Sequence, residues 1–207
     1  IKYINSSIKT FFNFLYHLYY MVKELRFLHI TKTGGSSIEN VGKDNNFLWG
    51  RFDQEYIDTV SKNVKRIPVD PWHLILRDHI MQRKYDWFMV VRNPYERILS
   101  EYYCKWGGVG KHSVKHTVNE MNSYIIKKIL QRRKDGGHYM EQHKYLFKKS
   151  KITVLKFEKL DKNFKKLMAN YGYEDIVLPL VNQSSNKIFT IENFNKTLIK
   201  LINKIYL

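Results

Sequence analysis

Three short apolar stretches punctuate a chain that is otherwise a dense mixture of charged, aromatic and amide side chains: Leu25 to Thr31, Asp86 to Val91 and Lys151 to Phe157. The first two are near-continuous in apolar residues, the pattern of a strand covered on both faces, as in a parallel sheet. The third alternates, with Ile152, Val154, Leu155 and Phe157 apolar. Each is followed by a segment of helical period. Ser36 to about Lys43 follows the first, with Ser36 and Glu39 at the spacing of a capping box. After the second, Asn93 suits an N-cap, Pro94 the first helical position and Glu96 the third. Tyr95, Ile98, Leu99, Tyr102 and Tyr103 then fall on one helical face, with Ser100 at its border and Arg92 at the mouth of the turn. The third is followed by a helix to about Tyr171. Strand, loop, helix, repeated, predicts an α/β domain with a central parallel sheet flanked by helices.

The rest of the chain is read more coarsely. Asp44 to Val69 has no clean period and is assigned to loop and helical turns. Pro68 and Pro71 precede a short apolar segment, Trp72 to Leu76. Gly107 to Gly110 is a flexible loop, Val118 to Arg133 and Tyr139 to Lys149 read as basic helices, and Thr190 to Tyr206 closes the domain with a final helix. There is no internal repeat. A length of 207 residues fits a single domain, placed at 25–207 behind an N-terminal helical segment at 1–24. Within that segment Phe11 to Val22 is rich in aromatics but holds Asn13 and His17 and is flanked by Lys9 and Lys23. It falls short of the roughly 20 apolar residues of a membrane span, and an amphipathic helix is expected instead.

Charge narrows the function. Against 36 Lys+Arg stand 19 Asp+Glu, a net +17, while 43% hydrophobic and 15% aromatic residues exclude a disordered chain. The surplus favours polyanionic partners: a multiply phosphorylated nucleotide, nucleic acid, an acidic glycan or an anionic membrane surface. An AT-rich composition, heavy in Lys, Asn, Ile, Tyr and Phe, accounts for part of it. Cys104 is the single cysteine, so an intrachain disulfide and a cysteine cluster are excluded and a reducing, cytoplasmic compartment is favoured. The chain begins at Ile1, so an anchor upstream of it would instead place the domain on the lumenal side of the Golgi membrane.

The chemistry concentrates at two strand ends. Lys32-Thr33-Gly34-Gly35-Ser36-Ser37 follows the first strand and opens a helix, so loop amides, the helix N-terminus and the Lys32 charge converge on one anion. Arg92 and Ser100 form a second anion site after the second strand. In an open α/β sheet both face a cleft at the carboxyl ends of the strands, so a ligand with two separated phosphates would use both. The loop is not a Walker A motif, because Lys32 precedes the glycines, and Gly107-Gly108-Val109-Gly110-Lys111 is not one either.

His29 to Ile38 closely resembles the "HIPKTGGTS" phosphosulfate loop of the Golgi-type carbohydrate sulfotransferases and their bacterial and viral relatives. Val90 to Tyr103 is similar to that family's "VRNPYDRLVSAYY" motif, Phe157-Glu158-Lys159-Leu160 to its "FENL" segment, and Leu180 to Ser185 to its "LNKS" segment. The first two motifs together are highly specific, and the last two are weak singly. The resemblance covers roughly Leu25 to the C-terminus. Thr31 and Ser36 stand where the family pattern has proline and threonine.

The resemblance implies the P-loop NTPase-like sulfotransferase fold and transfer from 3'-phosphoadenosine 5'-phosphosulfate (PAPS) to an acceptor hydroxyl, with adenosine 3',5'-bisphosphate (PAP) as product and no metal. Lys32 and the amides and hydroxyls of Thr33, Gly34, Gly35, Ser36 and Ser37 would hold the 5'-phosphosulfate, Arg92 and Ser100 the 3'-phosphate, and Ser184 would close over the nucleotide. Lys32 would stabilise charge on the leaving phosphate. The acceptor needs a general base near neutrality, usually histidine. His73 lies where relatives carry theirs and is the expected base. His79, beside Asp78, is the runner-up, and His29 is expected to be scaffold. Arg97, Glu96 and Glu101 are expected to be solvated or structural. The basic runs Lys127 to Lys134 and Lys148 to Lys151 are helix faces or, functionally, an acceptor groove for an acidic glycan. The rivals are a kinase, which needs an acidic Mg²⁺ ligand at a strand end, and a basic nucleic-acid-binding protein, which leaves the Gly/Ser loop unexplained.

Overall fold

The computed structural model describes residues 23–207 except 63, 65–68, 133–135, 149–150 and 180–186. The helical segment expected at 1–24 therefore lies outside the described residues apart from its last two positions, and Ser184 lies outside them too. Strands β1 (Leu25–Leu28), β2 (Asp86–Val91) and β3 (Ile152–Lys156) form a three-stranded sheet in the order β1-β2-β3. Both pairings are parallel, with Leu28 opposite Met89 and Val91 opposite Lys156. The expected α/β class is thus borne out.

Period-two alternation sorts β2 onto two cores. Trp87 and Met89 face one cluster, with Leu28, Ile30, Tyr56, Leu74, Leu76 and Tyr145. Phe88 and Val90 face the other, with Phe27, Ile38, Trp49, Phe164 and Met168. Helices α1 (Gly35–Asp44) and α6 (Leu160–Asn170) contribute to the second cluster, and α2 (Gln54–Ser61) and α3 (His79–Lys84) to the first. A third cluster lies between helices: Ile98, Leu99 and Tyr102 of α4 (Pro94–Tyr102), Met121, Ile125 and Ile129 of α5 (Val118–Leu130), and Leu198 and Ile202 of α7 (Lys196–Tyr206).

Four local expectations are corrected. The first strand ends at Leu28, so His29 follows it rather than lying within it. Helix α1 starts at Gly35 with Gly34 as its N-cap and no side-chain cap. Ser36 and Glu39 thus form no capping box, because Glu39 is buried and turned to His29 instead. In place of the helix expected over Tyr139 to Lys149, the described residues of that span form a single 3₁₀ turn at Gln142–Tyr145. Its apolar residues Tyr139, Met140 and Tyr145 are anchored individually in two different cores. Helix α5 stops at Leu130, short of the expected Arg133. The turn after β2 is as expected, with the Asn93 side chain accepting from the Tyr95 amide at 3.0 Å and Pro94 opening α4.

Candidate functional site

The β1 to α1 loop is held by its own side chains. Thr33 Oγ1 donates to the Ile30 carbonyl at 2.8 Å, so this hydroxyl braces the loop and only the Thr33 amide remains for a ligand. Ser36 is exposed and Ser37 is buried. Lys32 has a left-handed backbone, φ 60°, unusual for a residue with a Cβ and tolerated where the surroundings hold it. Gly34 has φ 88° and faces Phe157 and Leu160, which a Cβ would approach at 3.2 Å. Gly35 is required differently: a Cβ there would lie 2.0 Å from His29 Nε2. The His29 imidazole is thus wedged under the first turn of α1, with Nδ1 2.6 Å from buried Glu39 Oε1, and it serves as scaffold as expected.

The Arg92 turn meets this loop directly. An Arg92 guanidinium N–H donates to the Lys32 carbonyl at 3.4 Å, and the guanidinium stacks over the Phe157 ring, 4.4 Å from its centroid. Gln142 locks the Arg92 backbone, accepting from its amide and donating to its carbonyl, each at 2.8 Å. Glu158 accepts from the Asn93 amide at 2.7 Å. Phe157 and Glu158 of the weak "FENL" resemblance are therefore built into the site. Burial pulls the Arg92 guanidinium below its ordinary range, which Glu96 and Glu158 only partly offset. Lys187 is drawn down too, first by burial and then by the charges of Arg92 and Lys32. The sequence reading missed Lys187; its signal was its place just beyond the "LNKS"-like segment. Lys32, Arg92 and Lys187 thus form a group of mutually repelling cations at the carboxyl ends of β1 and β2, suited to a polyanion. Ser100 is buried on α4, two turns beyond Arg92.

Beside the loop stand three imidazoles. His73 ends a 3₁₀ turn (Pro71–His73), and its carbonyl accepts from Tyr145 at 2.7 Å. A Cβ on Gly136 would come within 2.4 Å of that carbonyl, so the close approach requires glycine. His73 Nδ1 lies 3.1 Å from the His29 carbonyl. A carbonyl only accepts, so Nδ1 carries the proton and Nε2 keeps its lone pair. The His73 ring packs edge-on to His29 at 4.4 Å and lies 6.3 Å from His138. Burial, then the neighbouring His29, lowers its pKa to about 2. His79 is placed elsewhere: Asp78 caps α3 by accepting from Met81 at 2.7 Å, and His79 Nδ1 pairs with Gln82 at 3.0 Å. The carboxylate beside His79 is thus spent on a helix end. His79 lines a groove of about 470 Å³ with Arg77, Lys144 and Lys148.

The third imidazole, His138, was not singled out in the sequence. Its Nδ1 is 2.6 Å from Glu101 Oε2, and the other oxygen of that fully buried carboxylate accepts from Thr31 Oγ1. Arg97 is also fully buried, donating to the Thr31 carbonyl at 2.9 Å and the Met140 carbonyl at 2.8 Å. Glu101 and Arg97 are therefore enclosed in the fold, not solvated. Among the described residues, the His/Cys/Asp/Glu atoms close enough to share an ion are those of Glu101, Cys104 and His138, mutually within 4.8 Å. Both Glu101 oxygens accept hydrogen bonds, one from His138 and one from Thr31, so the group contains a carboxylate–imidazole pair.

A cluster of cations at parallel strand ends, Arg92 among them paired with Glu96 at 3.5 Å, together with a loop-to-helix anion cradle and imidazoles beside it, is equipped for group transfer between an anionic donor and a proton-bearing acceptor. No curated protein and no solved structure matches the chain. A family model described as the sulfotransferase family matches residues 18–206. That span includes both strand-end motifs and the closing helix, and the chain belongs to the sulfotransferase family, whose members transfer sulfuryl groups.

Proposed function

We propose that the protein transfers the sulfuryl group of PAPS to a carbohydrate hydroxyl. In this reading Lys32 and the amides of Thr33 to Ser37 bind the 5'-phosphosulfate, Arg92 and Ser100 the 3'-phosphate, and Lys187 joins them. The acceptor oxygen attacks sulfur in line, the bond to the 5'-phosphate breaks with its electron pair left on that phosphate, and Lys32 offsets the charge. The acceptor proton passes to His73 Nε2, whose lone pair is kept free by the His29 carbonyl. The observation that carries the reading is the meeting of the two anion sites, with Arg92 bonded to the Lys32 carbonyl at 3.4 Å. A kinase reading finds no support at the end of β2, where Arg92 and Asn93 stand in place of an acidic metal ligand.

Thermal unfolding with and without PAP tests the donor. At a concentration 100-fold above Kd, stabilisation of about 2.7 kcal/mol is expected, or roughly 5–10 °C for a domain of this size. Lys32→Ala and Arg92→Ala should each abolish it. Absence of a shift in the wild type at millimolar PAP overturns the donor assignment.

A further inference from the structure

His138 is held as firmly as His73, with a buried carboxylate against its Nδ1 where His73 has a carbonyl. Gly107 leaves it room: a Cβ there would lie 2.3 Å from His138 Cγ and Nδ1. The turn that presents it has left-handed backbone at Gly136, Gly137 and Tyr139, with φ 121°, 101° and 61°. Its Nδ1 faces Glu101, so, as in His73, the Nε2 lone pair is free. The side chain is 20% exposed and Glu101 fully buried, so the ring joins solvent on one edge to a carboxylate on the other. Thr31, where the family pattern has proline, supplies a hydroxyl to that carboxylate.

We infer that His138, backed by Glu101, is a second proton-handling imidazole of the transfer site and the place where the acceptor's proton comes to rest. The inference rests on the sulfuryl-transfer reading above. Transfer leaves one proton behind as the oxygen–sulfur bond forms and the sulfur–phosphate oxygen bond breaks. His73 can receive it at Nε2, but burial first, then the His29 ring, and more weakly His138 and Arg97, oppose a positive charge there, against a smaller contribution from the His29 carbonyl that favours it. At His138 the same charge lies against a carboxylate 2.6 Å away. Burial opposes ionisation of Glu101, yet the His138 hydrogen bond and the Arg97 charge outweigh it and hold the carboxyl below its ordinary range, so the anion is in place. The ring centres of His73 and His138 are 6.3 Å apart. One water, accepting from the protonated His73 Nε2 and donating to His138 Nε2 at about 2.8 Å each, can span that gap. The proton then moves from the acceptor hydroxyl to His73 Nε2, through that water to His138 Nε2, and out from the exposed edge of that ring.

The test uses labelled PAPS and whichever of unsulfated chondroitin, heparosan and dermatan accepts most label from the wild type. His138→Ala should lower kcat about 100-fold while donor KM and the PAP-induced stabilisation stay at wild-type values. Added imidazole should restore much of the loss, because the vacated position is open to solvent. Wild-type kcat in His138→Ala, or a loss that imidazole does not rescue, overturns the inference. Glu101→Gln keeps the side chain's shape but removes its charge, and is expected to lower kcat about 10-fold at unchanged donor KM; an unchanged kcat also overturns it. A wild type that transfers label to none of the three glycans and is not stabilised by PAP refutes the sulfuryl-transfer reading itself, whereas failure in the variants alone refutes only the role of His138.

Discussion

At the scale of single residues, the site depends on what each polar atom has already been given. His73 has its Nδ1 proton committed to the His29 carbonyl and its ring enclosed, which keeps it neutral. That neutrality has a pH signature. The folded-state pKa of about 2 lies below the unfolded value of 6.5, so the unfolded chain binds the proton over that interval and stability falls as pH drops through 6.5 toward 2. At pH 5 the cost is about 2 kcal/mol, from 1.36 kcal/mol per pH unit. His73→Gln should therefore flatten the decline in Tm between pH 7 and pH 5 relative to wild type, as followed by circular dichroism; an unchanged slope would mean that the imidazole titrates normally in the folded protein. The same variant is expected to keep PAP-induced stabilisation and lose sulfate transfer, since in the proposed reaction His73 serves the acceptor side only. Thr33 illustrates the reverse case: its hydroxyl looks like a ligand in the sequence but is bonded to Ile30.

At the scale of elements, α4 organises the molecule. Its first turn is set by Asn93 and Pro94, its apolar face enters the third cluster, and its buried side carries Arg97, Ser100 and Glu101. Arg97 ties the loop after β1 to the Met140 carbonyl, so one side chain fixes the loop and the chain leaving His138. Arg97→Met should cost about 3–5 kcal/mol, because Glu101 is left buried without its guanidinium; a shift in the urea midpoint equivalent to less than about 1 kcal/mol would show that His138 and Thr31 suffice for it. Strands and the α4 cap were legible in the sequence because apolar continuity and cap chemistry are local. The Ser36–Glu39 spacing misled because Glu39 had a better partner in His29, ten positions back. The Tyr139 to Lys149 helix misled because apolar residues there are spaced for anchoring in separate cores. His138 and the role of Glu101 were not legible, since each depends on pairing across the tertiary fold, and Lys187 was marked only by its place beyond the "LNKS"-like segment.

At the scale of the whole molecule, the net charge of +17 divides into two populations with different physics. Many lysines are solvated, such as Lys162, Lys165 and Lys166 on the outer face of α6. Their attraction for a polyanion is long-ranged and collapses when the Debye length shrinks from about 10 Å at 0.1 M salt to 3 Å at 1 M. Arg92 and Lys187 are instead partly enclosed and lie beside the Lys32 loop, where salt screens less. The two populations should separate in one titration. Retention on an immobilised polyanion such as heparin is expected to vanish by about 0.5 M NaCl, while stabilisation by saturating PAP should keep more than half of its low-salt value. If both fade together, the nucleotide is held by the general basic surface rather than by an enclosed site, and the basic nucleic-acid-binding alternative gains ground. If PAP stabilisation persists and polyanion binding does not, the surplus charge serves solubility and encounter with acidic partners, while specificity resides in the few cations at the ends of β1 and β2.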